Sequence, residues 1–234
     1  MSDPISIPAR PEPLVCDPAR TALVVIDMQH AYLSKGGYLD LVGFGVEGSD
    51  RVIDQVGRCI AAARAANILV IYLQNGFDPE LTQAGPESSP VYHKSNPLKF
   101  MRANPEYRGK LITVGSRDYE LVDAIQPAPG EIVLHKSRYS AFCGTRLEAL
   151  LRGRGITHLV VAGVNTNVCV ESTIRDGFHK EFFCLMVGDA TMQAGDESIF
   201  RATCHNIENF LGWTTDTDAL CEALAGDAGA ESSA

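Results

Sequence analysis

The chain has 234 residues, 45% hydrophobic and 21% charged, a composition typical of a globular protein with enough length to bury one α/β core. The formal net charge of −9 argues against nucleic acid and membranes as partners, because nucleic acid and anionic membranes bind basic surfaces. No apolar run reaches the roughly 18–20 residues that a spanning helix needs. Residues 1–20 carry acids and five prolines where a signal peptide would be apolar, so we expect a cytoplasmic protein.

Strand-like and helix-like segments alternate along the chain from residue 21. The predicted strands are 21–27, 68–74, 131–136, 158–164, 183–189 and 213–217. The predicted helices are 50–66, 118–125, 145–153, 166–180 and 197–210. Most of the strands are hydrophobic throughout, and their alternation with amphipathic helices indicates an α/β fold with a parallel sheet covered on both faces.

Three segments fall outside this alternation. Residues 1–20 are proline-rich and are expected to form an arm over the domain or over a neighbouring subunit. Residues 76–117 form a long polar stretch rich in Gly, Pro and Ser, which is typical of a lid, a substrate-binding loop or a subunit contact. Residues 225–234 are small and polar and are expected to form a flexible tail. These boundaries leave residues 21–224 as one domain.

Three residues with useful chemistry follow strands of the predicted sheet. Asp27 ends the first strand, Lys136 ends the third, and Cys169 follows the fourth across the short turn 165–168. Open α/β sheets carry their active sites at the carboxyl ends of the strands. Together these residues supply a nucleophile, a base and an orienting cation, which is the logic of a catalytic triad without histidine.

Cys169 lies in the segment GVNTNVCVEST at 163–173, where a tight turn joins a strand to a helix. A thiol in the first turn of a helix faces unpaired backbone N–H groups, which stabilise a thiolate and the oxyanion that forms when it attacks a carbonyl. Most free cysteines are instead small buried hydrophobes. We interpret five others in this way: Cys16, Cys59, Cys184, Cys204 and Cys221.

Asp27 and Lys136 have complementary predicted roles. An acid at the end of an apolar strand is costly to bury without a partner, and Asp27 would act as the base for the thiol and then as the acid for the leaving nitrogen. Lys136 would hold Asp27 and Cys169 in their charged forms. Taken alone, Asp27 is better explained by turn capping and Lys136 by solvation, so the prediction depends on the three residues occurring together.

These motifs resemble those of the isochorismatase-like cysteine hydrolases. The resemblance rests on DMQ after the first strand, a lysine after the third and GVxTxxCVxST after the fourth, and it runs from about residue 21 to 224. It implies a Rossmann-like three-layer α/β/α fold with a six-stranded parallel sheet in the order 3-2-1-4-5-6, and a homodimer or homotetramer. It also implies that Asp27, Lys136 and Cys169 are the catalytic triad.

The resemblance also covers the turn before Cys169 and the cofactor requirement. In many members the peptide that matches Val164–Asn165 is cis, which would direct the N–H groups of Asn165 and Cys169 to one oxyanion hole. True isochorismatases lack the cysteine, so its presence implies hydrolysis of a C–N bond. Nicotinamidases bind a metal through a D-x-H pattern after the second strand, where this chain has QNGFDPE at 74–80, so we expect neither a metal nor another cofactor.

Further stretches are most similar to members that cleave the ureido group of ureidoacrylate in pyrimidine degradation. These stretches are GGYLDL at 36–41, QNGFD at 74–78, HKSN at 93–96, KSRYSAF at 136–142, NVCVESTIRDGF at 167–178 and IENFLGW at 207–213. A small ureido substrate needs acceptors for its N–H groups, a cover for its plane, and a cation or donors for its carboxylate. The candidate substrate-binding residues are Gln29, Tyr38, Asn75, Phe77, Lys94, Ser95, Arg138 and Tyr139.

Two residues depart from that subfamily and leave the substrate open. Phe77 stands where Trp is expected, and Asn165 stands where Ala is usual. Biuret, triuret and N-carbamoyl amino acids also contain a ureido unit and are the alternative substrates. A non-catalytic α/β module that binds a small molecule or a protein is the alternative from another class, although such a module needs no nucleophile, base and cation together.

Overall fold

The computed structural model describes residues 4–228. Its strands are β1 (Ile5–Ile7), β2 (Leu14–Cys16), β3 (Thr21–Ile26), β4 (Leu69–Asn75), β5 (Ile132–Lys136), β6 (His158–Val164), β7 (Phe183–Met192) and β8 (Trp213–Thr215). Its α-helices are α1 (His30–Leu33), α2 (Tyr38–Leu41), α3 (Ser49–Ala65), α4 (Pro90–Lys94), α5 (Asn96–Ala103), α6 (Leu147–Gly153), α7 (Glu171–His179), α8 (Glu197–Asn206) and α9 (Thr217–Ala228).

Six of the strands form one parallel sheet in the order β5-β4-β3-β6-β7-β8. Counted along the chain within this sheet, the order is 3-2-1-4-5-6, as the family resemblance implied. The chain runs from β3 outward to β5 and then returns to β6 on the other side of β3. This reversal opens a crevice beyond the carboxyl ends of β3 and β6, the place where open α/β sheets bind ligands.

The central strand β3 shows why the sheet is covered on both faces. Its side chains alternate between two hydrophobic clusters, as the pleat of a strand requires. Leu23 and Val25 pack in the cluster that contains the buried face of α3, whereas Val24 and Ile26 pack in the cluster that contains α6 and α7. Every residue of β3 is therefore buried, and the strand holds its carboxyl end in a fixed position.

The N-terminal segment folds against the edge of the sheet. Strands β1 and β2 form an antiparallel pair, and the loop between them reaches β8, where Arg10 pairs with Thr214 and the indole of Trp213 donates to Glu12 at 2.9 Å. At the other end, α9 packs against α3 and includes residues 225–228, which were predicted to be part of a flexible tail. Its alanine-rich sequence explains this difference, because alanine is the best helix former. The rest of the predicted tail, residues 229–234, lies outside the described residues.

The segment between β4 and β5 adds two helices and corrects one prediction. Residues 76–117, singled out as a long polar stretch, contain α4 and α5. The predicted helix at 118–125 is wrong: a 3₁₀ turn at Arg117–Tyr119 is followed by an extended residue, an isolated bridge at Leu121 and a turn at 123–125. Tertiary contacts override its helical pattern, because Leu121 bridges to Gln29 and the N–H of Val122 donates to the carbonyl of Met28. Within residues 4–228, no helix is long and apolar enough to span a membrane.

Candidate active site

A buried ion pair lies at the carboxyl ends of β3 and β5. Lys136 Nζ is 2.7 Å from Asp27 Oδ2, and neither side chain is accessible to solvent. The ammonium group also donates to the carbonyl of Arg138 at 3.2 Å. Since β4 lies between β3 and β5, the long lysine side chain crosses beneath the end of β4 to reach the aspartate. The other carboxylate oxygen, Asp27 Oδ1, is buried and has no hydrogen-bond partner among the described residues.

Cys169 completes the group from the far side of β3. It lies in a π-helical turn, Thr166–Val170, that leads from β6 into α7, and π-helical turns are frequent at functional sites. The buried Thr173 fixes this turn, since its hydroxyl donates to the carbonyl of Cys169 at 2.7 Å and accepts from the N–H of Ala141 at 3.0 Å. Asp27 and Lys136 both lie close enough to the thiol to influence its pKa, Asp27 raising it and Lys136 lowering it.

The protonation states of this group are set mainly by burial. Burial raises the pKa of the Cys169 thiol and outweighs the opposing effect of the Lys136 charge. Burial also raises the pKa of Asp27 above that of an ordinary carboxyl. For Lys136 burial acts in the opposite direction, but the charges of Asp27 and Cys169 prevail and raise its pKa. Burial and the Lys136 charge thus act on the pKa of the thiol in opposite directions, and the prediction that Lys136 and the helix N-terminus help to hold a thiolate stays a prediction.

The turn before Cys169 depends on a glycine and a cis peptide. A Cβ atom on Gly163, where φ is +115°, would lie 2.1 Å from the carbonyl oxygen of Ile26, so the close approach of β6 to β3 requires glycine. The peptide Val164–Asn165 is cis, as the family resemblance implied. Asn165 and Cys169 both line the cavity described next, as a shared oxyanion hole requires.

A cavity of about 490 Å³ opens above the thiol. It contains Cys169 but neither Asp27 nor Lys136, so the ion pair lies behind the nucleophile. Eight of the other residues predicted for the site line this cavity. They are Tyr38, Asn75, Phe77, Lys94, Ser95, Arg138, Tyr139 and Asn165.

Gln29 does not belong to the cavity, contrary to the sequence prediction. Its side chain is fully buried, and its amide accepts from the N–H of Asn75 at 2.8 Å and donates to the carbonyls of Asn75 and Tyr119 at 3.0 and 2.8 Å. All of these partners are backbone groups. Gln29 therefore fixes the end of β4 and positions Asn75 instead of binding substrate.

Several residues of the cavity were not predicted from the sequence. Tyr32 follows Asp27 by little more than one helical turn, and its hydroxyl accepts from Asn75 Nδ2 at 2.7 Å. Asn167 pairs with both backbone groups of Ala194, donating at 3.3 Å and accepting at 3.0 Å. The proximity of Tyr32 to the DMQ motif was a usable signal, whereas the Asn167–Ala194 contact joins residues far apart in sequence. Within residues 4–228, no three His, Cys, Asp or Glu side chains are grouped as metal ligands would be.

Comparisons with known proteins identify the family of the chain. The Isochorismatase domain family matches residues 21–219. Ureidoacrylate amidohydrolase RutB from Methylobacterium radiotolerans is 55% identical over 220 residues, which cover 94% of this chain and 85% of that protein. The protein of the same name from Klebsiella variicola is 53% identical over 221 residues, covering 94% of each chain.

Solved structures show the same fold. A cysteine hydrolase from Pseudomonas syringae pv. phaseolicola has a TM-score of 0.76 and 25% identity, covering 97% of this chain and 100% of that chain. N-carbamoylsarcosine amidase from Thermoplasma acidophilum has a TM-score of 0.66 and 22% identity, covering 85% of this chain and 97% of that chain, and shows the fold alone. The chain belongs to the isochorismatase family.

Proposed function

We propose that this protein is a cysteine amidohydrolase that cleaves ureidoacrylate to aminoacrylate and carbamate in pyrimidine degradation. The observation that carries the proposal is the burial together of a thiol, a carboxylate and an ammonium group, with the thiol lining one cavity and the ion pair directly behind it. The relatives described above, named ureidoacrylate amidohydrolase, support the choice of substrate.

The first half of the reaction transfers the carbamoyl group to sulfur. Asp27 Oδ1, which accepts no hydrogen bond from residues 4–228, takes the thiol proton as Cys169 Sγ attacks the ureido carbonyl carbon. The resulting oxyanion is held by the backbone N–H groups of Asn165 and Cys169. When the intermediate collapses, the bond to the inner nitrogen breaks and Asp27 gives its proton to that nitrogen. Aminoacrylate leaves, and a carbamoyl thioester remains on Cys169.

Water completes the cycle. Asp27, again a carboxylate, takes a proton from water as the oxygen attacks the carbamoyl carbon. The bond from carbon to sulfur then breaks and the proton returns to sulfur. Carbamic acid leaves, loses a proton to solvent to give carbamate, and decomposes to carbon dioxide and ammonia. Lys136 keeps its charge throughout, which stabilises Asp27 as a carboxylate between the proton transfers.

An amide in the cavity wall suits a ureido group. Asn75 Nδ2 donates to the hydroxyl of Tyr32, which fixes the orientation of the Asn75 amide. The amide oxygen, Oδ1, has no partner among residues 4–228. The same wall contains Phe77, which is almost fully buried. An amide oxygen is an acceptor for a ureido N–H, and an aromatic ring covers a planar group.

A cation in the cavity suits the carboxylate of ureidoacrylate. Nη1 of Arg138 donates to the carbonyl of Gln83 at 2.9 Å and to the carbonyl of Ser137 at 2.7 Å. Nε and Nη2 have no partner among the described residues. The guanidinium is thus held in place with donors to spare, the arrangement that binds carboxylates well. Lys94 also lines the cavity, but its ammonium group is exposed and pairs with nothing in residues 4–228.

Ammonia release from a small panel of compounds tests the proposal. The panel is ureidoacrylate made in situ, biuret, triuret, N-carbamoyl-β-alanine and nicotinamide, with Cys169→Ser as the blank. We expect ureidoacrylate to be turned over far faster than the other compounds. A preference for biuret or triuret, which have no carboxylate, would contradict the substrate, and equal release by Cys169→Ser would contradict the mechanism.

We also propose a cytoplasmic location and a homodimer or homotetramer. All seven cysteines are free, which suits a reducing compartment. Phe178, Phe183 and Phe210 line one groove and are 45%, 47% and 66% exposed, and an exposed patch of this kind marks a contact surface. Light scattering after size exclusion should report two or four copies, and Phe210→Glu should reduce that number. A monomeric wild-type protein would contradict the oligomer.

A further inference from the structure

The side chain of Asn165 has a role separate from that of its backbone. It is almost fully buried and lines the cavity with Cys169. Asn165 Nδ2 donates to the carbonyl of Met192 at 3.5 Å. Because a carbonyl can only accept, the nitrogen of the amide must face Met192 and Oδ1 must face away from it. The orientation of the amide is therefore fixed by a neighbour in the chain.

Asn165 Oδ1 is an acceptor without a donor. It makes no hydrogen bond to residues 4–228. Among residues 4–228, Asp27 Oδ1 is the only side-chain oxygen or nitrogen that has neither a hydrogen-bond partner nor contact with solvent. Asn165 Oδ1 also has no partner, so it must be accessible from the cavity. An acceptor that faces the cavity and has no partner in the protein is free to accept from a donor on the ligand.

The other asparagine of the turn, Asn167, has no unpaired amide oxygen. It lines the same cavity two residues later, but its Oδ1 accepts from the N–H of Ala194 at 3.0 Å and its Nδ2 donates to the carbonyl of Ala194 at 3.3 Å. Its amide is thus used in holding the cavity wall. Asn167 has the same chemistry and location without the open acceptor, which makes it a matched control.

We propose that Asn165 Oδ1 accepts a hydrogen bond from the terminal NH₂ of the substrate's carbamoyl group and thereby selects carbamoyl over acyl groups. This inference rests on the proposed function. The attacked carbon carries an oxygen, an inner nitrogen and the terminal NH₂. The oxygen goes to the N–H groups of Asn165 and Cys169, and the inner nitrogen must face Asp27 to receive its proton. The NH₂ is the remaining substituent, and an acetyl group would place a methyl there and leave Asn165 Oδ1 unpaired.

A pair of ligands that differ in that one substituent tests the inference. Binding of N-carbamoyl-β-alanine and N-acetyl-β-alanine is measured by calorimetry in the Cys169→Ser background, which prevents turnover. We expect a carbamoyl preference of about tenfold, the usual effect of leaving one buried acceptor unpaired. Adding Asn165→Ala should remove most of that preference, whereas adding Asn167→Ala should weaken both ligands and leave their ratio unchanged.

The outcomes separate this inference from the proposed function. Equal binding of the two ligands with Asn165 in place would overturn the inference without any need for the Ala variant to fold. An unchanged preference in a folded Asn165→Ala protein would also overturn it. In either case, turnover of ureidoacrylate by the wild type would leave the proposed function standing. If the wild type hydrolyses no ureido compound and shows no carbamoyl preference, both are wrong.

Discussion

The floor and the wall of the cavity are built in different ways. By the floor we mean Cys169, which lines the cavity, together with the Asp27–Lys136 pair behind it, and each of these residues is placed within a few residues of the end of a buried strand. The wall comes largely from the segment between β4 and β5 and from residues 137–139, which are held by side-chain hydrogen bonds to loops. A sheet positions the groups that react, whereas loops position the groups that recognise, so changes in the two regions should have different kinetic consequences.

The largest effect should come from the nucleophile at the floor. Cys169→Ala removes the atom that forms the covalent intermediate, so kcat should fall by a factor on the order of 10,000 or more. Ammonia release measures the loss, and circular dichroism with thermal unfolding provides the control for folding. Activity within tenfold of the wild type would show that the floor has been misassigned.

Breaking the ion pair should affect both activity and stability. Lys136→Met leaves the carboxylate of Asp27 buried without a cation, so the free energy of unfolding should fall by about 3–5 kcal/mol and turnover should be nearly abolished. Adding Asp27→Asn removes the unpaired charge, so stability should largely return while activity stays lost. Urea unfolding of the wild type and of the two variants measures this, and equal stability of the single and double variants would argue against a buried charged pair.

Changes in the wall should act on KM. Arg138→Gln removes a guanidinium that is already fixed by backbone carbonyls, so KM for ureidoacrylate should rise about 10- to 100-fold, the value of a hydrogen bond to a charged group, with kcat little changed. The matched change Lys94→Gln removes an exposed and unpaired cation and should raise KM less than about threefold. Equal effects of the two variants would remove the reason for assigning the carboxylate to Arg138.

The pH dependence of kcat/KM also tests the floor, and its expected effect is smaller. Asp27 can take the thiol proton only as a carboxylate, and burial raises its pKa. It therefore becomes protonated at a higher pH than an exposed carboxyl, and kcat/KM should fall about tenfold per unit as the pH drops below that pKa. The apparent pKa of this decrease in kcat/KM should lie above the ordinary aspartate pKa of about 4, and it should be unchanged in Arg138→Gln. An apparent pKa at or below the ordinary aspartate value would contradict the role of Asp27.

The same contrast explains what the sequence could predict. A buried strand is recognisable from its own residues, and parallel strands must end at one edge, so Asp27, Lys136 and Cys169 could be brought together without a structure. Asn75 and Phe77 were also accessible to this reasoning, because they end or directly follow β4.

The predictions that differ from the structure share another cause. Gln29 was assigned to the substrate because it is polar and close to Asp27, but its amide binds the backbone of residues far along the chain. The helix predicted at 118–125 fails for a similar reason, because this segment pairs with Met28 and Gln29. Its own Asp118 is also engaged elsewhere, accepting from the N–H groups of Tyr38 and Ile112. Such contacts join distant residues and leave no periodic signal. The effect of burial on the thiol also depends on the packed structure.

The covalent intermediate offers the most direct test of the central claim that a buried thiol, activated by Asp27, takes up the carbamoyl group. Wild-type protein is mixed with excess ureidoacrylate, quenched in acid over a series of short times, and analysed by peptide mass spectrometry. We predict a carbamoyl group on the peptide that contains Cys169, appearing as aminoacrylate forms, and none on the exposed Cys143. Full formation of aminoacrylate by a protein whose Cys169 stays unmodified at every time, with the same rate in Cys169→Ala, would contradict the account.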